Sequence, residues 1–341
     1  MTRASGAIHS NIPALAAEAG TEGELGAVIS RQVGRLVGHD GFQMIGLDPI
    51  ARAGCLYAQQ NCYTDQANQY LKVPQDFSGR RGTPFGRLVH GRPVELLGLG
   101  LPDPRDEPVR EVMAAEGFGS ELRIAFIQGG RPWGAMALLR ERSSRPFSAE
   151  NIADAERMCL PLATALRQFV VGKPMRPTRG GHGVGVLVLD QHLTVKAATH
   201  SARAWLRKLS PDQVAVNEVM SIRLVRSVAF ATVRTGRPVI NTVPTLDGWL
   251  SLQGELIDGA RDVAITIQPP SGRVLLPATA AWHGITPREQ AVVELILEGL
   301  PTKQIARHLG ISPHTATDHL KAIYRKTSVN SREELVAALA Q

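Results

Sequence analysis

Apolar residues recur along this chain with two alternating rhythms, helical and extended. Between 24 and 37, Leu25, Val28, Ile29, Val33, Leu36 and Val37 return at threes and fours, which predicts a helix. Gly38 to Gly41 end it, and FQMIGLD and GCLYAQQN read as two strands. A loop-rich stretch follows, in which QANQYLK and FGRLVHG are expected as short helices. At 121–140, ELRIAFIQGGRPWGAMALLR, two apolar runs flank GGRP, the pattern of a β-hairpin with a slightly long turn. Phe147 and Ser148 precede a long helix, AENIADAERMCLPLATALRQFVV, with a kink expected near Pro161. Beyond GKPMRPTRGGHG, a Pro/Gly/basic linker, the rhythm restarts. GVLVLD and LTVKAA read as strands, HSARAWLRKL as an amphipathic helix, and about 218–235 as a second helix. PVINTV, WLSLQGEL and VAITIQP then read as three further strands.

Residues 284–339 carry the clearest start and stop signals. Thr286, Pro287 and Glu289 form a predicted capping box, and Gly299 with Pro301 ends that helix near Glu298. Thr302 opens KQIARHL, which Gly310 stops; Ser312 and Pro313 open a third helix to about Lys326; Ser331 and Glu334 cap a fourth. The turn from Leu309 to Ser312 is the tight, Gly-containing turn of a helix-turn-helix. At ~100° per residue, Ala316, Leu320, Ile323 and Tyr324 share one stripe of the third helix. His314, Thr317, Asp318, Lys321 and Arg325 fall nearly opposite, where they can meet base edges and phosphates.

The pattern TPRE…EGL-x-x-K-x-IA-x-x-LGIS-x-x-T-x-x-x-HLK-x-I-x-x-K…SREEL resembles the LuxR-type helix-turn-helix of bacterial transcription regulators, over nearly all of 284–339. The resemblance implies that the third helix enters the major groove and that the fourth supports dimerisation. It places Thr317, Asp318 and Lys321 at bases or adjacent phosphates, and Lys303, Thr315 and Arg325 at the backbone. With Ser312 and His314, these make up the DNA-binding set. Two positions depart from the family pattern. Ala316 stands for the usual Val, and Thr-Ser-Val for Leu-Gly-Val after Lys326. The competing reading is a four-helix interaction module. Over 277–341, seven bases (Arg288, Lys303, Arg307, Lys321, Arg325, Lys326, Arg332) oppose six acids (Glu289, Glu294, Glu298, Asp318, Glu333, Glu334), so net charge alone does not predict DNA binding.

The helix, strands, hairpin and long final helix of 23–171, with G-x-x-W-G-x-x-x-L-x-R in the hairpin, resemble a GAF domain. Two strands, helices and three strands over 184–270 resemble a PAS domain. The expected fold is therefore multidomain α+β: a GAF-like α/β sensor, a PAS-like α/β domain and an all-α four-helix DNA-binding domain at 284–341. A flexible arm at 1–22 and linkers at 172–183 and 271–283 complete the division. Both sensor folds imply an apolar pocket between sheet and helices. Phe42, Met44, Tyr57, Trp133 and Met136 are the candidate lining residues in the first, Trp205 and Trp249 in the second.

Composition narrows the function. A net charge of +7 and a pI near 9.7 permit a polyanionic partner. Cys55, Cys62 and Cys159 form no CxxC pair, which fits idle reduced thiols, and His39-Asp40 lacks further metal partners. No apolar run reaches the ~18 residues of a membrane span, and the first residues carry no signal pattern, so a cytoplasmic setting without membrane contact is expected. There is no GxxxxGK[ST], Gly-x-Ser-x-Gly or HExxH, no receiver-type acidic pair, and no Trp/Tyr/Tyr/Asp spacing of acyl-homoserine-lactone sensors. The expectation is a non-enzymatic, dimeric DNA-binding regulator that requires no cofactor. Its partners would be double-stranded DNA on a pseudo-palindromic site, a small-molecule ligand, and RNA polymerase. The alternative is an amino-terminal protein-interaction module that takes no small molecule.

Overall fold

The computed structural model describes residues 11–64, 67, 84–98, 104–173, 175, 178, 181–209, 217–257 and 261–339. The predicted QANQYLK helix lies outside the described residues apart from Ala67. Among the described residues the first element is α1 (11–18), a helix within the second half of the segment expected as a flexible arm over 1–22, whose residues 1–10 lie outside the described ones. Ile12 and Ala16, one helical turn apart, are fully buried, and this short stripe docks the segment. Thr21 then caps α2 (Glu22–Gly34), its hydroxyl accepting from Glu24 N at 3.2 Å.

The first domain continues with β1 (Gly41–Leu47), β2 (Gly54–Gln60), α3 (Pro84–His90), β3 (Val94–Gly98), α4 (Glu107–Ala115), β4 (Phe118–Gln128), β5 (Arg131–Glu141) and α5 (Ala149–Val171). Its five strands form an antiparallel sheet in the order β2-β1-β5-β4-β3. Ser148 and Asn151 make a capping box at the start of α5, and Pro161 lies within that continuous helix. The Gly of the hairpin motif has a packing reason. Gly46 and Gly134 are paired across β1 and β5, and a Cβ at either would press on Leu166 of α5, at 3.3 and 3.0 Å. Helix α5 therefore lies close against the sheet.

The second domain comprises β6 (Gly185–Leu189), β7 (Val195–Ala198), α6 (His200–Leu209), α7 (Asn217–Thr235), β8 (Val239–Thr245), β9 (Gly248–Leu256) and β10 (Val263–Gln268). Its sheet runs β7-β6-β10-β9-β8. In chain order this is again second, first, fifth, fourth, third. A buried polar seam joins the two domains. The Asp48 carboxylate accepts from Ile50 N, Ala51 N and Thr242 N at 2.7–3.0 Å and from the Thr242 hydroxyl. Gly54 N donates to Ser227 Oγ at 2.7 Å, and Asn241 Nδ2 donates to Gly54 O at 3.0 Å. Burial pushes the Asp48 carboxyl above its ordinary range, against the pull of those hydrogen bonds.

The segment 271–283, expected as a linker, is largely a helix, α8 (Gly272–His283). Its periodic Leu275, Leu276, Ala278 and Trp282 are buried between the two sheet domains and the carboxy-terminal helices. The Pro-Pro pair before it and Pro277 within it read as breakers in the sequence. Burial of the apolar stripe outweighs the ~3 kcal/mol that an interior proline costs a helix. Four short helices follow: α9 (Pro287–Leu297), α10 (Thr302–Leu309), α11 (Pro313–Thr327) and α12 (Arg332–Leu339).

Candidate nucleic-acid interface

The caps of the carboxy-terminal unit come from residues near them in sequence. Thr286 Oγ1 accepts from Glu289 N at 3.3 Å, and Glu289 Oε2 accepts from Thr286 N at 2.7 Å. Gly299 and Gly310 take positive φ, and Ser312 Oγ accepts from Thr315 N at 3.0 Å at the start of α11. Ile305, Ala306, Ala316, Leu320 and Ile323 are buried, so α10 and α11 pack through one shared core. Ala316 is fully buried, and the smaller side chain leaves α11 seated on that core.

The turn after Lys326 holds a less usual residue. Ser328 sits at φ 55°, in the left-handed region where the family pattern has Gly. Its neighbour Thr327 is buried, with its hydroxyl donating to Ile323 O at 2.8 Å. The turn is therefore formed, with a non-glycine residue strained at its apex.

The opposite face of α11 is open. The side chains of His314, Lys321 and Asp318 are 85%, 72% and 55% exposed, Arg325 is exposed, and Thr317 is half-buried. Asp318 stands between His314 Nε2 at 3.5 Å and Lys321 Nζ at 4.0 Å. Thr317 Oγ1 donates to Pro313 O at 2.9 Å, which leaves its lone pairs facing outward as acceptors. Ser312 and Thr315 lie exposed at the amino end of α11, and Lys303 is exposed on α10. All eight residues of the sequence-derived set thus lie at the surface of the α10–turn–α11 unit.

The near-even charge count conceals a division of labour. Arg288 Nη2 donates to Leu309 O at 2.5 Å and Arg332 Nη2 to Leu300 O at 2.7 Å, both ending helices or turns. Lys326 Nζ meets the buried Glu289 at 2.6 Å. Burial works to raise the Glu289 carboxyl, but Lys326 and the Thr286 hydrogen bonds outweigh it and hold the group below its ordinary range. Those three bases make contacts within the unit, Arg288 while still exposed. Lys303, Arg307, Lys321 and Arg325 remain on the surface, so the exposed side of α10 and α11 is basic. Arg307 was absent from the sequence-derived set. Its place on an exposed helix face beside Lys303 and His308 was the available signal.

The candidate sensor residues divide differently. Phe42, Met44 and Met136 are buried in the cluster between the first sheet and α2 and α5. Strand alternation puts 42 and 44 on the helix-covered face, where all three pack in the core. Trp133 is buried too, its ring 4.9 Å from that of Trp282 on α8. Tyr57 alone is half-buried and packs on the other face, with Ile45, Phe85 and Leu88. Trp205 and Trp249 are buried in the second domain's core.

That other face carries a buried charge network which pattern reading missed. Arg87 donates to Glu95 at 2.6 Å and to Asp106 at 2.8 Å, and Arg123 donates to Glu121 at 2.5 Å. The Tyr63 hydroxyl donates to Glu121 as well. The odd positions of β4, Glu121 and Arg123, alternate with Leu122, Ile124 and Phe126 on the helix-covered side, which was the signal in the sequence. Burial pushes the thiols of Cys62 and Cys159 up to about 12, and all three cysteines are free. Among the described residues no group of three metal-ligating side chains occurs, and no helix is long and apolar enough to cross a membrane.

Comparison with known proteins fits this division. Residues 283–339 match the luxR family of bacterial regulatory proteins, and residues 27–166 match the GAF domain. An HTH-type transcriptional regulator of Mycobacterium tuberculosis is 43% identical over 60 residues, 18% of this chain and 7% of that protein. Response regulator Rre1 of Synechocystis is 35% identical over 82 residues, covering 24% of this chain and 35% of its own length. The nitrate/nitrite response regulator NarL of Escherichia coli is 44% identical over 50 residues, 15% of this chain and 23% of that one. The chain thus spans only 7% of the length of the first of these relatives. It carries a luxR-family helix-turn-helix domain towards its carboxy end and a GAF domain towards its amino end.

Proposed function

We propose that this chain is a transcription regulator that binds double-stranded DNA through α11, under the control of its GAF domain. The observation that carries the reading is the division of α11 into a buried stripe and an open polar face beside a basic α10. Thr317, Asp318 and Lys321 would reach base edges in the major groove. Lys303, Ser312, His314, Thr315 and Arg325, joined by Arg307, would hold the phosphates. A dimer would place two such helices about one DNA turn apart on a pseudo-palindromic site. The two strands, two helices and three strands of the second domain support reading it as PAS-like. With the GAF domain it would form the sensor, in a cytoplasmic protein that does no chemistry of its own and meets RNA polymerase at a promoter. A small ligand would act by shifting the population of DNA-competent arrangements.

Selection of the full chain on a random duplex pool at physiological salt tests the proposal. Enrichment of a two-fold-related motif is expected. No enrichment would favour the rival reading, a protein-interaction module. On the selected duplex, Lys321→Ala should weaken binding by about 1–3 kcal/mol if it reads a base. A uniform loss on all sequences with a flatter salt slope would assign Lys321 to phosphate instead.

A further inference from the structure

The open face of α11 has a charge order of its own. Between Thr302 and Thr327, Asp318 is the single acid among Lys303, Arg307, Lys321, Arg325 and Lys326. At about 100° per residue it points almost directly away from the buried stripe of Ala316, Leu320, Ile323 and Thr327. Arg325, His314 and Lys321 fall beside it, and the half-buried Thr317 lies towards one edge. Asp318 therefore stands at the apex of the face that α11 offers to a groove.

Position on that face decides what a carboxylate can meet. The flanks of a helix in the major groove lie near phosphates, which repel an anion, and its apex lies nearest the base edges. An ionised carboxylate has lone pairs only, so at the apex it needs a base-edge donor. Cytosine N4 and adenine N6 are the donors of that groove, and they differ in their neighbours. Adenine sets the acceptor N7 beside its amino group, which turns a lone pair towards the second carboxylate oxygen. Cytosine sets no acceptor there. Asp318 thus suits cytosine.

A neighbouring side chain suits the other half of that base pair. Lys321 Nζ lies 4.0 Å from Asp318 Oδ1, and His314 Nε2 lies 3.5 Å from Oδ2. An ammonium has donors only, which match guanine O6 and N7. In a C·G pair, cytosine N4 and guanine O6 are hydrogen-bonded to each other, about 2.9 Å apart. The pair thus sets a donor edge beside an acceptor edge, near the spacing of a carboxylate and an ammonium three residues apart on one helix face. A G·C pair in the same place sets like against like at both groups.

We propose that Asp318 and Lys321 read one C·G pair together in each half-site. The carboxylate accepts from cytosine N4, and the ammonium donates to guanine O6 or N7. The inference rests on the DNA-binding reading above and adds the base pair that is read. Asp318 is then a specificity-determining residue. Its charge disfavours every sequence that turns an acceptor towards the apex of α11.

The test repeats the random-pool selection with the full chain as wild type, Asp318→Ala, Asp318→Asn and Lys321→Ala. Fluorescence anisotropy then compares the four base pairs at the assigned position of the selected duplex. Wild type should select a C·G pair in both halves and bind the other three pairs at least about tenfold more weakly. Asp318→Ala should bind all four pairs alike and leave the rest of the motif unchanged. Asp318→Asn, whose amide both donates and accepts, should move the preference to adenine. It keeps the shape of the side chain and carries the test if Asp318→Ala misfolds. Lys321→Ala should lose discrimination at the same pair and at no other. A motif that neither Asp318 variant alters, an altered position where wild type selects a pair other than C·G, or a Lys321→Ala change at a different pair or at none would overturn the inference and leave DNA binding standing. No enriched motif from any of the four chains would remove both readings.

Discussion

The two sheets of this protein share a strand order and differ in how evenly their far faces are covered. In the first, β4 and β5 are buried over nearly their whole length on both sides. In the second, β6 and β10 alternate strictly between buried and half-open positions. There, Leu187, Leu189, Val263, Ile265 and Ile267 face α6 and α7, while Val186, Val188, Ala264 and Thr266 look outward. The covered far face of the first sheet holds Arg87, Glu95, Asp106, Glu121 and Arg123 in one network. Desolvating ion pairs is costly, and each carboxylate of the network is met by a guanidinium that offsets part of it. One strand order therefore serves a sheet covered on both faces in one domain and, along β6 and β10, a face left half-open in the other.

The sharpest way to break this comparison is to remove a charge from the enclosed face. Arg123→Ala would leave the buried Glu121 carboxylate with no cation and only the Tyr63 hydroxyl, and should cost about 3–5 kcal/mol in chemical denaturation. Thr266→Ala on the open face of the second sheet should stay within about 0.5 kcal/mol of wild type. Equal costs would mean that the two far faces are alike after all.

The seam between the sheets comes next in size. Asp48→Ala orphans the Thr242 and Ala51 amides, and a loss of about 2–3 kcal/mol is expected in a urea melt. The two sheets should then unfold in separate steps. A single unchanged transition would show that the seam does not join them.

Acid should affect the carboxy-terminal unit through His283. Burial, with Arg167 nearby, lowers the His283 pKa from 6.5, so the folded unit keeps the ring neutral while the unfolded chain binds a proton. The stability it contributes is present above 6.5 and falls as pH drops towards the folded pKa. Thermal melts from pH 7.5 to 5.5 should show a loss that His283→Gln abolishes. A parallel loss in that variant would assign the effect elsewhere.

The smallest expected effect is a gain. Ser328→Gly relieves the left-handed strain at φ 55° and should stabilise by about 0.5–1 kcal/mol, measured as a rise in Tm. A drop would mean that the loss of chain stiffness outweighs the strain.

Much of the carboxy-terminal unit was legible in the sequence, for a physical reason. Its caps and stops act within three or four residues, at Thr286 with Glu289, Gly299, Gly310, and Ser312 with Thr315. The face of α11 that points outward also followed from spacing alone, because a helix fixes that direction locally. The hairpin at 121–140 and the long helix after it were readable on the same grounds. The placement of Phe42, Met44 and Met136 was not. Their hydrophobicity marked them as buried, but whether they faced packing helices or a chamber depended on where α2 and α5 came to lie.

Local chemistry along the chain thus determined which segments become helices and strands, and the face that α11 can offer to DNA. Tertiary structure decided that α1 and α8 are docked helices, since Ile12 and Trp282 find partners far away in sequence. It also decided which of the bases serve the fold and which are left for a polyanion. Lys326 and Arg332 are half-buried on a carboxylate and a carbonyl, exposed Arg288 is held on the Leu309 carbonyl, and Lys303, Arg307, Lys321 and Arg325 stay in solvent. A charge count sees seven equal bases. Only packing, which sets the distance between groups far apart in the chain, tells them apart.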